Sequence, residues 1–383
     1  MTLRLVDVTS FFSDSCGGIK TYYRAKARVL PARGLDCHFV VPGETRSDEP
    51  YEGGTLHRLA GPRLGASAYR CFGDLGALRE LLGDLRPDVV ELGSHYLLPA
   101  IVQRALRGVH PAPRLVGFYH ADYPDTYVAP ALRRAPEVLA RGAVELAWAF
   151  CRRQHVRYDA TLVGSRFVAR TLGDRGVPRV HWVGLGVDVD TFCPEAAAAI
   201  GPDGAAPTIV YAGRLAAEKG FPHVLAAWDV LHARTGARLV VVGDGPLGPA
   251  LRAFAATRPH VEWRGYVADA AQVAAILAAA DLVLAPGEHE SFSLATAEAL
   301  ACATPVVGAD RGGNAELVDL SGGGLTFRAG KVDTLVAGAA GLLSLPAATR
   351  RDLGAAGRAH VTRALTWDHV ATRLHAVYSS VVA

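Results

Sequence analysis

The sequence has no C-x-x-C pair. Its six cysteines, Cys16, Cys37, Cys71, Cys151, Cys193 and Cys302, lie far apart, which argues against a disulfide scaffold and a zinc knuckle and fits a reducing compartment. Nor does it contain the ~18 uninterrupted apolar residues of a membrane span. Even the alanine-rich 270–287 segment is broken by Gln272 and Asp281. The opening MTLRLVDV reaches Asp7 before an apolar run forms, so it reads as a first strand and not as a secretory leader. Charge of one sign is scarce as well. Lys+Arg 40 against Asp+Glu 37 leaves +3, too little to suggest a nucleic-acid partner. The excess is uneven: residues 1–190 carry 25 basic and 20 acidic side chains (+5), residues 191–383 carry 15 and 17 (−2). No Asp-x-Asp stands at an expected strand end, so no catalytic metal or other cofactor is expected. The Gly17-Gly18 pair before the next helical stretch lacks the full G-x-G-x-x-G spacing, which weakens a nicotinamide reading.

What is present is an ordered globular chain. Half the residues are apolar and 20% charged, and Gly 41 with Pro 22 is below low-complexity levels. A length of 383 residues exceeds what one core serves and favours two domains of roughly 100–200 residues. Apolar, β-branched runs recur at Leu3–Val8, Cys37–Val41, Val89–Leu92, Leu115–Phe118, Ala160–Val163, Thr208–Tyr211, Leu239–Val242, Leu282–Ala285 and Pro305–Val307, each followed by helical spacing. Strands alternating with helices mean βαβ units and parallel sheets, hence an α/β fold of doubly wound domains. The alternation breaks at Pro194–Pro207, which places the domain boundary near residue 200. The expected division is 1–195, 205–365 and a closing helix over 366–383, where Trp367, Val370, Leu374, Val377 and Tyr378 share helical spacing. Ligands of such sheets bind at the carboxyl ends of the strands, so a cleft between the domains is the expected active site.

Two stretches carry chemistry. In PGEHESFSLATAEALA, residues 286–301, a loop with Glu288, His289 and Glu290 gives way to a helix expected to start between Ser291 and Ser293. The unsatisfied amides of a helix start form an anion site, and phosphate is the natural occupant. Glu290 and Glu298 lie eight apart, about two turns, which would set both on one helical face. The plainer alternative is a solvated helix with ordinary surface acids. In YAGRLAAEKG, residues 211–220, Gly213 permits a tight turn after a strand, and Arg214 and Lys219 emerge at the ligand edge. A planar fork and a compact point charge suit a diphosphate; the alternative is a surface pair of Glu218 with either cation.

Together with Gly17-Gly18, Gly186-Val-Asp-x3-Phe192, Pro305-Val-Val, Gly312-Gly313 and Thr366-Trp367, these segments resemble the retaining, GT-B fold glycosyltransferases of glycosyltransferase family 4. The resemblance spans nearly the whole chain. It implies two facing Rossmann-like domains with a cleft between them and a C-terminal crossover helix, and transfer of a sugar from a nucleotide diphosphate sugar, UDP- or GDP-linked, to a hydroxyl acceptor with the α-configuration kept. It assigns the donor to the C-terminal domain and the acceptor to the N-terminal one. Glu298 takes the place of the acid on the ribose hydroxyls, Glu290 that of the acid reading the donor sugar, and Arg214 and Lys219 form the diphosphate clamp. Backbone amides around Phe292, Ser293 and Leu294 would touch the same phosphates, and Gly265-Tyr266-Val267 lies where the base is held. Gly17 and Gly18, without a β-carbon, let the donor phosphates approach across the cleft. His120 falls where the family keeps a histidine near the reacting carbon; as a lone residue it would read as structural. One departure is Gly184-Leu185-Gly186 where Pro-Asn-Gly is common, which puts local loop geometry in doubt.

No front-domain carboxylate is obviously placed to attack, Asp122 being merely near His120, so same-face attack through an oxocarbenium-like transition state is the expected mechanism. The expected compartment is the cytoplasm. A peripheral membrane enzyme with a lipid acceptor is the second reading, resting on Lys20, Arg24, Lys26 and Arg28 in the helix after Gly18. A binding protein or epimerase of the same architecture is the third. Segments 44–70 and 120–158 read as acceptor-choosing loops.

Overall fold

The computed structural model describes residues 2–12, 17–65, 69–94, 96–199 and 206–383; Cys16 and the stretch 200–205 lie outside them. The chain divides into two compact units, Met1–Leu185 with Trp367–Ala383, and Gly186–Thr366. Residue 200 therefore falls inside the second unit. The division comes earlier because residues 187–192 are already bonded to the end of that unit. Val187 N donates to Leu365 O (2.8 Å), and the Arg358 guanidinium donates to Phe192 O (3.1 Å).

Eight strands form the sheet of the first unit: β1 (Leu3–Val8), β2 (Leu35–Gly43), β3 (Ser47–Tyr51), β4 (Gly54–Ala60), β5 (Val89–Leu92), β6 (Arg114–Tyr119), β7 (Ala160–Val163) and β8 (Val180–Trp182). Their order is β3-β4-β2-β1-β5-β6-β7-β8. All neighbours are parallel except β3 and β4. The helices are α1 (Gly17–Val29), α2 (Leu75–Leu85), α3 (Leu98–Ala105), the single turn α4 (Ala129–Ala131), α5 (Glu137–His155) and α6 (Arg166–Asp174). Segments 44–70 and 120–158 are thus not plain loops: the first supplies β3 and β4, the second α4 and α5. Local chemistry sets several starts, since Asp74 accepts from Ala77 N and Ser165 from Val168 N, each satisfying an otherwise orphaned amide.

The second unit holds β9 (Thr208–Ala212), β10 (Arg238–Val242), β11 (Val261–Gly265), β12 (Leu282–Ala285), β13 (Val306–Ala309) and β14 (Gly324–Phe327), ordered β11-β10-β9-β12-β13-β14 and wholly parallel. Around them run α7 (Phe221–Thr235), α8 (Gly248–Ala255), α9 (Ala270–Ala278), α10 (Leu294–Ala301), α11 (Gly312–Ser321), α12 (Val332–Ser344) and α13 (Ala347–Ala364). The order reverses at β9/β12, the topological switch where ligands of doubly wound sheets bind. Ile209, Leu239, Leu282, Trp228 and Leu335 fill its core, each worth ~1.5–3 kcal/mol on burial.

The chain then returns to the first unit as α14 (Trp367–Val382), burying Val370, Leu374 and Tyr378 in the core shared by Leu5, Tyr22, Phe39 and Phe118. Beneath it lies a sealed polar cluster. Lys26 Nζ reaches Asp7 Oδ2 (2.7 Å) and Glu91 Oε1 (3.0 Å), Tyr23 donates to Asp7 (2.7 Å), Tyr22 to Glu91 (3.0 Å), and Tyr378 of α14 to the other Glu91 oxygen. Burial pushes the Asp7 carboxyl up to about 7, against the pull of Lys26. Of the basic residues expected along α1, one is taken out of reach of solvent and two share a single acid. Lys26 points into the core, and Arg24 and Arg28 both pair with Glu52, at 3.3 and 2.9 Å.

Candidate active site

Two carboxyl-end loops of the second unit, those after β9 and β13, close on residues 286–292, and glycines permit it. A β-carbon on Gly220 (φ 69°) would stand 2.4 Å from Pro286 O, and one on Gly313 would stand 2.3 Å from Phe292 O. Gly313 N donates to Glu290 O (2.7 Å), which ties the start of α11 to the same loop.

Lys219 and Glu290 meet there. Nζ lies 2.8 Å from Oε1 and 2.9 Å from Oε2, with the lysine about a third exposed. Two residues read separately from the sequence are thus partners. Arg214 remains more open and pairs with Glu218 at 3.2 Å, the contact foreseen as the alternative to a clamp. Its backbone is fixed, because Arg214 O accepts from the buried Tyr211 hydroxyl (2.9 Å), and Leu215 N donates to Asp244 O (3.0 Å) just beyond Gly213.

Helix α10 begins later than the sequence suggests. Ser293 is left-handed (φ 76°, ψ 83°), so the first helical residue is Leu294 and no side chain caps its opening amides. Glu290 therefore belongs to the loop and does not share a helical face with Glu298; the eight-residue spacing has no helical meaning. A positive φ at a serine costs ~1–3 kcal/mol and persists only where its surroundings enforce it. Here Ser293 Oγ donates to Thr296 Oγ1 (3.0 Å), which donates to Asn314 Oδ1 (2.7 Å), while Asn314 Nδ2 donates to Gly287 O (2.8 Å) and Ala285 O (3.1 Å). The buried Asn314 thus fixes both ends of the loop. Sequence reasoning missed it, although it directly follows the Gly312-Gly313 pair.

Glu298 sits mid-helix and half-buried, and among the described residues its carboxylate has no hydrogen-bond or ion-pair partner. Burial alone pushes it up to about 7. Phe292 is buried, while Ser293 and Leu294 are partly exposed. Gly265 ends β11 with φ 70°, and its carbonyl accepts from Gly243 N (2.7 Å). Tyr266 is exposed and Val267 half-buried.

The remaining candidates belong to the first unit. Gly17 and Gly18 are exposed and form the first two residues of α1 itself, not a loop before it. His120 follows β6, stacked on Phe118 (4.1 Å between centroids) and edge-on to Tyr22 (5.4 Å). Asp122 is held by a different neighbour. Tyr119 Oη donates to it (3.2 Å), and burial raises it to about 6. Phe118, Tyr119 and Tyr123 are buried and fill the core, whereas Tyr127 is open to solvent. Among the described residues no group of three or more His, Cys, Asp or Glu side chains gathers as metal ligands would.

The chain that carries these residues is similar to known proteins along most of its length. The profile described as Glycosyltransferase Family 4 matches residues 16–191, and that described as Glycosyl transferases group 1 matches residues 206–344. A GDP-mannose-dependent α-(1-6)-phosphatidylinositol dimannoside mannosyltransferase of Mycobacterium tuberculosis is 31% identical, over 80% of this chain and 79% of that one. A GDP-mannose-dependent α-mannosyltransferase of Mycolicibacterium smegmatis is 32% identical, over 99% and 98%. In fold, the chain is similar to sucrose-phosphate synthase from Thermosynechococcus elongatus (TM-score 0.81, 19% identity, 98% of each chain). The chain belongs to glycosyltransferase family 4. It is a glycosyltransferase of GT-B fold that takes its sugar from a nucleotide sugar.

Proposed function

We propose that the protein transfers a mannosyl group from GDP-mannose to a hydroxyl acceptor, with retention of the α-configuration and without a catalytic metal. The Gly186–Thr366 unit holds the donor and the first unit the acceptor. The Lys219–Glu290 pair carries this reading. An ammonium has three donors, so Lys219 can keep Glu290 in place while turning another toward a diphosphate. Glu290 keeps acceptor capacity for hydroxyls of the sugar. The open amides of α10 face the same anion, and Glu298, without a partner among the described residues, takes the ribose hydroxyls. The choice of guanine and mannose is supported by relatives named as GDP-mannose-dependent, two of them at 31% and 32% identity.

The sugar C1–O bond to the leaving phosphate breaks as the acceptor oxygen bonds to C1 on the same face. The acceptor's proton passes to the leaving phosphate oxygen. Charge grows on the diphosphate as that bond breaks, and Lys219, Arg214 and the helix start are the groups preorganised to stabilise it. The test is a thermal-shift comparison of GDP-mannose with UDP-glucose, since a ligand that binds only the folded state raises stability by RT ln(1 + [L]/Kd). Proton NMR of the product then reads the anomer. A larger shift with UDP-glucose would overturn the donor, and a β-linked product would overturn retention.

A further inference from the structure

Helix α5 is turned the wrong way for water. Its inner side sends Trp148, Cys151 and His155 into the core, yet its outer side carries an apolar stripe between its charges. Leu139 (66% exposed), Leu146 (71%) and Phe150 (44%) stand open, seven and four residues apart along one stripe, and Val138 (81%) is exposed at its N-terminal end. A surface helix ordinarily puts polar residues there. Leu97, 75% exposed, extends the apolar surface, because Gln154 of α5 donates to the neighbouring Tyr96 carbonyl (3.1 Å).

The frame of the stripe is basic. Residues 127–157 contain Arg133, Arg134, Arg141, Arg152, Arg153 and Arg157 against only Glu137 and Glu145, 6 − 2 = +4. Both acids are engaged, Glu137 by Arg141 (2.6 Å) and Glu145 by Arg175 (2.8 Å). Long aliphatic and aromatic side chains ringed by arginine complement the interface of an anionic bilayer. There the apolar face enters the headgroup boundary and the guanidinium groups meet lipid phosphates. A second copy of the chain is the poorer occupant. A two-fold contact across the stripe would lay one arginine-rich frame upon another.

We propose that α5 is the face on which this protein lies against an anionic membrane surface. The inference goes beyond the donor chemistry and does not depend on it. Co-sedimentation with vesicles of phosphatidylcholine, with and without phosphatidylglycerol, tests it, since neither lipid is a glycolipid acceptor. The expected result is pelleting with the anionic vesicles only, weakened by high salt and unchanged by excess GDP. The double variant Leu139→Glu/Leu146→Glu should reduce it on the order of tenfold with the same far-UV circular dichroism, and Arg24→Glu on α1 should leave it intact. Failure of the unaltered protein to pellet, equal pelleting of the double variant, or a dimer that the double variant dissolves without any vesicle binding would each overturn the proposal.

Discussion

Lys26 Nζ stands 2.7 Å from Asp7 Oδ2, and both side chains are sealed from water. The lysine also serves Glu91, so one cation compensates two buried carboxylates. Removing one member of a buried pair leaves a charge that nothing offsets, at a cost of ~3–5 kcal/mol. Lys26→Met should lower the stability of the first unit by about that amount, read from its urea transition. An unchanged midpoint would mean that the cluster is spectator polarity.

Glu298 should couple nucleotide binding to protons. Its folded value of about 7 lies above the ordinary 4.5, so the ligand-free fold holds this proton more tightly than the unfolded chain does. That stabilisation is complete below the unfolded value and is lost as pH rises through about 7. In the proposed donor complex the ribose hydroxyls donate to the ionised form, so GDP should bind more tightly as pH climbs toward neutrality, with proton release at about pH 6. Calorimetry in buffers of different ionisation enthalpy measures it. Release that persists in Glu298→Gln would assign the proton elsewhere.

Lys219→Ala should lower both donor affinity and kcat, because an interaction that strengthens as charge leaves acts on the barrier. One charge-assisted hydrogen bond is worth ~1.5–3 kcal/mol, which is about 10- to 100-fold in rate. Arg214→Ala should do less, its guanidinium being more exposed and shared with Glu218. Lys219→Arg should recover part only, since a planar fork cannot take the place of a point charge against Glu290.

Turnover should survive excess EDTA, the cations of the protein supplying the compensation. Activity abolished by chelation and restored by magnesium or manganese would send the search back to the carboxylates.

Asn314→Ala should free the 287–293 segment and leave buried carbonyls unsatisfied, costing ~1–3 kcal/mol. Donor KM should rise more than the thermal midpoint of the ligand-free protein falls. A change in stability alone would make Asn314 structural.

Much of this was legible in the residues. The runs at Leu3–Val8, Val89–Leu92, Ala160–Val163 and Leu282–Ala285 coincide with β1, β5, β7 and β12, because strands buried on both faces announce themselves as unbroken apolar segments. The edge escaped notice. Strand β3, Ser-Asp-Glu-Pro-Tyr, has neither apolar alternation nor β-propensity and exists by pairing with β4. Lys26 was misread for a related reason. Its partners Asp7 and Glu91 lie on other strands, and helical spacing carries no information about them. At the site, Arg214, Lys219, Glu290 and Glu298 stood out as residue types, but the left-handed Ser293 that separates Glu290 from α10 is a product of Asn314 and two glycines packed from another loop. Helix α5 is hidden in the sequence because its outward leucines spoil the amphipathic pattern.

The way the chain leaves and re-enters the first unit sets the order in which the protein can be finished during synthesis. The Gly186–Thr366 unit is continuous, and its ends are stitched together at Val187 and Leu365, so it can mature as soon as it clears the ribosome. The unit begun first must wait. Until Trp367–Val382 emerges, Tyr22, Phe118 and the acid of Glu91 lack the wall that Val370, Leu374 and Tyr378 provide. The nascent first unit is therefore an open core throughout translation of the second, the interval when exposed apolar surface is most prone to aggregate. A stop codon a few residues before Tyr378 would make that interval permanent.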